Sequence, residues 1–100
     1  MVRPVRPLPR ELTQQWPNVP SDDACGEAAR LFALNLAVAL GGASVRQAKT
    51  MTGVNHSTIA VILSGHVWPD VATLARLESR LKTRLWPTLD DDGRYRATPQ

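Results

Sequence analysis

The sequence predicts an all-α domain, and three observations carry that expectation. Only 5% of its 100 residues are aromatic, so the core must be built largely from aliphatic side chains, and the long Ala/Leu/Val runs favour helix over sheet. Apolar residues recur at helical spacing in two longer segments that flank two short, glycine-punctuated ones. A serine, asparagine or aspartate stands ahead of each segment, where its side-chain oxygen can cap a helix. The composition, 43% apolar and 21% charged, is that of one small globular domain.

Residues 1–20 carry five of the eight prolines and are expected to form an extended arm, with at most one helical turn from Glu11 to Trp16. The first helix is expected to start at Ser21, Asp22 or Asp23 and to stop at Gly41-Gly42. Leu31, Leu34 and Val38 define its apolar line, which Phe32, Leu36 and Leu40 widen. Ser44-Val45-Arg46-Gln47 is a capping box, so a second helix begins at Ser44. It ends by Thr52 because Gly53 can adopt positive φ. Asn55 then caps a third helix that runs from His56 to about Leu63, with Val54 and Ile59 placed as a hydrophobic staple and Gly65 as its stop.

Asp70 caps a fourth helix, whose expected inward stripe is Val71, Leu74, Leu77 and Leu81. On its outer side Glu78 and Lys82 stand four apart, at ion-pair spacing. Beyond Lys82, RLWPTL, DDDG and RYRAT are expected to form a short β-hairpin around Asp92-Gly93, with Pro87 confining its first strand to an edge. Trp16, Trp68 and Trp86 each precede a proline, which places them in extended backbone at the edges of the core. The expected organisation is an arm over 1–20, a helical domain over 21–82 and an extension over 83–100. Leu85 to Ala97, which alternates apolar with polar, is the candidate contact between two copies.

The formal charge is only +3, but it is unevenly spread. No carboxylate lies between Glu27 and Asp70, whereas Arg30, Arg46, Lys49, His56 and His66 fall in that interval. A surface cleared of negative charge is what a polyanion partner requires, although chance clustering in a short chain accounts for the charge equally well. A lone Cys25 excludes an internal disulfide, so a reducing, cytoplasmic setting is expected. MVRPVRPLPREL is broken by Pro4, Pro7 and Pro9 and lacks the apolar run of a signal peptide. Leu31 to Ala43 is too short to cross a bilayer, so no membrane association is expected.

Catalysis is not expected either. One cysteine and two histidines make no metal-ligand spacing, and there is no glycine-rich phosphate loop. His56 and Ser57 are adjacent on a helix and point about 100° apart, so they cannot act as base and nucleophile. The Asp90-Asp91-Asp92 run reads as a solvated turn, with weak cation binding the alternative. No cofactor or metal is expected.

Two capped helices joined by a glycine turn, between two longer apolar-faced helices, make a helix-turn-helix arrangement. From Glu27 to about Pro87 the chain resembles the lambda-repressor-like (Cro/C1, XRE) regulators, and TGVNHSTI followed by SGHVWPDVATLARLE has the form seen in actinobacterial and phage members. The resemblance implies a bundle of about five helices and a homodimer on double-stranded DNA, with His56 to Ser64 as the recognition helix. It also places His56, Ser57 and Val61 at base edges, and the start of the second helix and the Gly65-His66 loop at phosphates, with Gly53 holding the turn. One departure is Lys49, four positions before that glycine, where the family usually has a small residue; Ala48 stands beside it. Another is Ala60 and Val61 on the outer face, where Arg or Gln is common.

Helical angles divide the third helix. Ile59, Ile62 and Leu63 share the inward side, and Ser57, Ala60, Val61 and Ser64 the outward one. The candidate base contacts are His56, Ser57, Thr58, Ala60 and Val61: methyl groups suit thymine methyls, and the hydroxyls can bond to several base edges. Candidate phosphate contacts are Val45, Arg46, Lys49, Asn55, Ser64 and His66. Arg3, Arg6 and Arg10 are candidates for a minor-groove arm, with a disordered tail the slightly favoured alternative. The expected function is a sequence-specific repressor on a two-fold operator. The alternative is a protein-interaction module, such as an antitoxin or anti-repressor, that uses the apolar Ala60/Val61 face.

Overall fold

Each α-helix starts at the cap its sequence supplies. The computed structural model describes residues 6–97. In it Asp23 accepts a hydrogen bond from the Gly26 N–H at the head of α1 (Ala24–Leu40), and Gly41 ends that helix in a left-handed conformation. Ser44 and Gln47 cap one another's N–H groups at α2 (Val45–Thr52). Asn55 caps α3 (His56–Leu63), and Asp70 caps α4 (Val71–Leu81). The Thr73 N–H, bonded to the Asp70 carboxylate, is the leading reason that carboxyl sits below its ordinary pKa. Capping oxygens satisfy N–H groups that a helix cannot satisfy internally, which is why these four boundaries follow from local sequence.

The core is aliphatic, as the composition requires. Phe32, Leu36 and Leu40 of α1 pack with Ala48, Val54, Ile59, Ile62, Leu77 and Leu85. Of the expected line on α1, Leu31 is buried, but Val38 is 60% exposed and Leu34 only half-buried, which shifts the inward face toward Phe32. The helix is apolar around most of its circumference, so two lines at helical spacing compete, and the one carrying Phe32 faces inward. On α4, Val71 is 79% exposed and only Leu77 is fully buried, with Leu74 and Leu81 packed beside it. Val71 is the first residue of its helix and lies beyond the reach of the core.

The Glu78–Lys82 pair does not form. Lys82 ends α4 at φ 54°, in the left-handed region, which turns its side chain off the helical line. The Glu78 carboxylate instead accepts from the Leu85 and Trp86 N–H groups at 2.8 and 3.0 Å. The chain beyond α4 therefore closes the core and is not an extension of it. Leu85 is buried, Asn35 donates to its carbonyl at 2.8 Å, and Trp86 packs on Phe32 and Tyr95. The expected hairpin is present as an antiparallel pair, β1 (Thr88–Leu89) with β2 (Tyr95–Arg96). Of the apolar residues in the proposed copy-to-copy contact, Leu85 and Trp86 are committed inward, and Leu89 is 61% exposed.

The described part of the N-terminal segment is not an extended arm. Pro9–Leu12 forms a short 3-10 turn against α1, and Pro9 is fully buried. The Trp68 indole donates to the Pro7 carbonyl and the Trp16 indole to the Leu63 carbonyl, both at 2.9 Å. Arg30 bonds to the Pro17 carbonyl at 3.0 Å and pairs with Glu27 at 2.6 Å, while Glu27 also accepts from the Ser21 N–H. Proline-rich backbone is short of donors but keeps every carbonyl, and here indole and guanidinium donors bind those carbonyls. The described residues thus contain four α-helices, one 3-10 turn and a two-stranded sheet, one α-helix fewer than the five implied by resemblance. Among them no single helix is long and apolar enough to cross a membrane.

Candidate nucleic-acid interface

The turn between α2 and α3 is fixed from inside. Gly53, at φ 74°, donates its N–H to the Lys49 carbonyl at 2.7 Å, a left-handed conformation that favours glycine. The fully buried Thr52 hydroxyl donates to the Ala48 carbonyl at 2.7 Å and accepts from the Val54 N–H at 3.1 Å. The Thr52 hydroxyl and the Val54 N–H, both buried, are thereby paired at the bend. Ala48 is completely buried and Lys49 exposed. The small side chain that α2 packs into the core is therefore Ala48, and the Lys49 beside it faces solvent.

With Ile59 and Ile62 buried, α3 turns Ser57, Ala60 and Val61 outward, and Val61 is 38% exposed. His56, Thr58 and Ser64 are half-buried at the flanks of that face. Asn55 is occupied as a cap, its Oδ1 accepting from the Ser57 N–H at 2.8 Å. At the start of α2, Val45 is half-buried, and Arg46 and Lys49 are exposed three residues apart on one helical face. Among the described residues the ion pairs are Arg30–Glu27 and Arg96–Asp90, so the charges of Arg46 and Lys49 have no acidic partner.

At the far end of α3 the side chains of Ser64 and His66, candidate phosphate contacts by sequence, also bond within the protein. The Ser64 hydroxyl lies 3.2 Å from the Val61 carbonyl and 2.7 Å from His66 Nδ1. His66 Nε2 lies 3.1 Å from Arg10 Nη1, and the same Nη1 donates to the Ser64 carbonyl at 3.1 Å. The Arg10 backbone N–H bonds to the Gly65 carbonyl at 3.0 Å. Arg10, a minor-groove candidate by sequence, is thus seated at the end of α3. Arg6 stacks over Trp68 at 4.4 Å from the ring centroid, and Arg3 lies outside the described residues.

Gly65 makes this docking feasible. Its φ is 76°, and a Cβ there would come within 2.6 Å of the Trp16 ring and 2.9 Å of Arg10 Cβ. Arg80 of α4 is a further cation at this surface. Its guanidinium would lie 3.4 Å from a Cβ at Gly53, over the α2–α3 turn. Nothing in the local sequence signals either placement, because each depends on a contact between distant segments. Among the described residues no group of three or more His, Cys, Asp or Glu side chains is placed to hold a metal ion. No protein-family model, curated protein or solved structure matches this chain.

Proposed function

We propose that this chain is a sequence-specific DNA-binding transcriptional regulator, a repressor of the helix-turn-helix type, which binds a two-fold operator as a homodimer with α3 in the major groove. The observation that carries the reading is the outward face of α3: Ser57, Ala60 and Val61 are exposed on a helix whose opposite side is anchored by Ile59 and Ile62. Small side chains let the helix lie deep in the groove, where methyl groups meet thymine methyls and hydroxyls meet base edges. Close fit replaces long reach. Arg46 and Lys49, with the N–H groups of the first turn of α2, supply phosphate contacts that set the register. The likeness of residues 27–87 to the lambda-repressor-like regulators supports the same assignment.

A second reading rests on Val61, one of the few large apolar side chains left exposed. It makes the α3 face a protein-docking patch, as in an antitoxin or anti-repressor. Selection from a randomised duplex pool at two salt concentrations separates the two. Enrichment of a two-fold motif that weakens steeply with salt supports the operator reading. Retention of no motif at either salt overturns it in favour of a protein partner, whose apolar contact responds little to salt.

A further inference from the structure

We propose that Arg10 forms a preset phosphate fork beside α3, resting on the DNA-binding reading above and extending it to a residue of the N-terminal segment. Arginine has five N–H donors and no acceptor. Arg10 uses Nη1 for both of its side-chain bonds, to the Ser64 carbonyl and to His66 Nε2. Nε–H and the Nη2 group, the edge that grips two oxygens of one phosphate in parallel, have no partner among the described residues and belong to an exposed side chain.

The bonds on Nη1 fix where that edge stands. Because arginine cannot accept, His66 Nε2 must be the acceptor, so its proton is on Nδ1 and is donated to the Ser64 hydroxyl. That hydroxyl in turn donates to the Val61 carbonyl. The backbone bond from Arg10 to Gly65 and the indole bond from Trp16 to Leu63 pin the segment on either side. A side chain held in this way loses less freedom on binding than a solvated one, and among the described residues its charge pairs with no carboxylate. Ser64 and His66 are positioning residues here, and Arg10 is the group that touches phosphate.

The test measures binding of a mixed-sequence duplex across a salt series for the full chain, Arg10→Ala, Arg10→Lys and His66→Ala, with thermal melting of each protein alongside. Arg10→Ala is expected to weaken binding roughly 10-fold and to reduce the log–log salt slope by about 0.9, the contribution of one phosphate. Arg10→Lys should restore the slope but not the full affinity, since lysine keeps the charge and lacks the fork. His66→Ala should weaken binding while retaining the slope. If the full chain binds duplex and a folded Arg10→Ala or Arg10→Lys protein matches it in affinity and slope, the fork is wrong and the DNA reading stands. If the full chain shows no salt-dependent duplex binding, both fall.

Discussion

Thr52 shows how much a single hydroxyl can hold in a bend this tight. Its Oγ1 joins the last turn of α2 to the first residue after Gly53, with no water access to either bond. Thr52→Val keeps the shape and leaves the buried Val54 N–H without an acceptor, which should cost about 1–3 kcal/mol. Thr52→Ser keeps both bonds and loses one methyl, about 1 kcal/mol. The ordering of urea midpoints, wild type above Ser above Val, checks this, and a valine protein as stable as wild type would contradict it. Gly65 combines a left-handed backbone with the Trp16 ring against its Cα. Gly65→Ala therefore meets two penalties together and should destabilise by about 2–4 kcal/mol. The same substitution should expose Trp16, so its loss of stability is expected with a red shift of tryptophan emission in the folded state.

The elements differ in how far the sequence reveals them, and the difference follows from contact range. Caps and turns are local: Ser44 with Gln47, Asn55, Asp70 and Gly53 each act within four residues, so the boundaries of α2, α3 and α4 could be read directly. The inward line of α1 could not, because both Leu31-Leu34-Val38 and Phe32-Leu36-Leu40 are apolar and only packing chooses between them. The N-terminal segment was the least legible, since Arg10 finds its partners 54 and 56 residues away. Its attachment to α1 through Glu27 has a pH signature. Burial raises the Glu27 pKa, but the hydrogen bonds from Arg30 and the Ser21 N–H, together with the Arg30 charge, outweigh it and hold the carboxyl below 4.5. A depressed folded pKa gives stability that is present above the unfolded value and lost as pH falls through the folded one. The stability gap between wild type and Glu27→Gln should therefore be constant near neutrality and close progressively below about pH 4.5. Melting temperatures of the two proteins from pH 7 to pH 3 measure it, and a gap that widens on acidification would reverse the sign.

At the scale of the molecule, the absence of any carboxylate between Glu27 and Asp70 coincides with the segment that builds α2, the turn and α3. On the operator reading, this surface has two separable tasks, phosphate contact and base reading. Arg46→Ala should weaken all duplex sequences alike and lower the salt slope by about 0.9, because phosphates carry no sequence information. Val61→Gln should leave the slope intact and change which bases are preferred at one position by roughly 10-fold or more, because glutamine brings a bidentate adenine contact in place of a methyl contact. The same reasoning bears on stoichiometry. On the operator reading, one module of this size would cover about 600–1,000 Å² on DNA and, lacking an arginine–guanine pair on the α3 face, would read bases modestly. Two copies on a two-fold site add their contact energies, whereas a duplex carrying one half-site engages only one copy specifically. Affinity for the half-site duplex should thus fall by roughly 100-fold or more relative to the full site at equal salt. Inserting five base pairs between half-sites should cost nearly as much, since it rotates one recognition surface to the opposite side of a duplex that repeats every 10–10.5 base pairs. Equal affinity for full, half and respaced sites would mean that the protein reads DNA as a monomer.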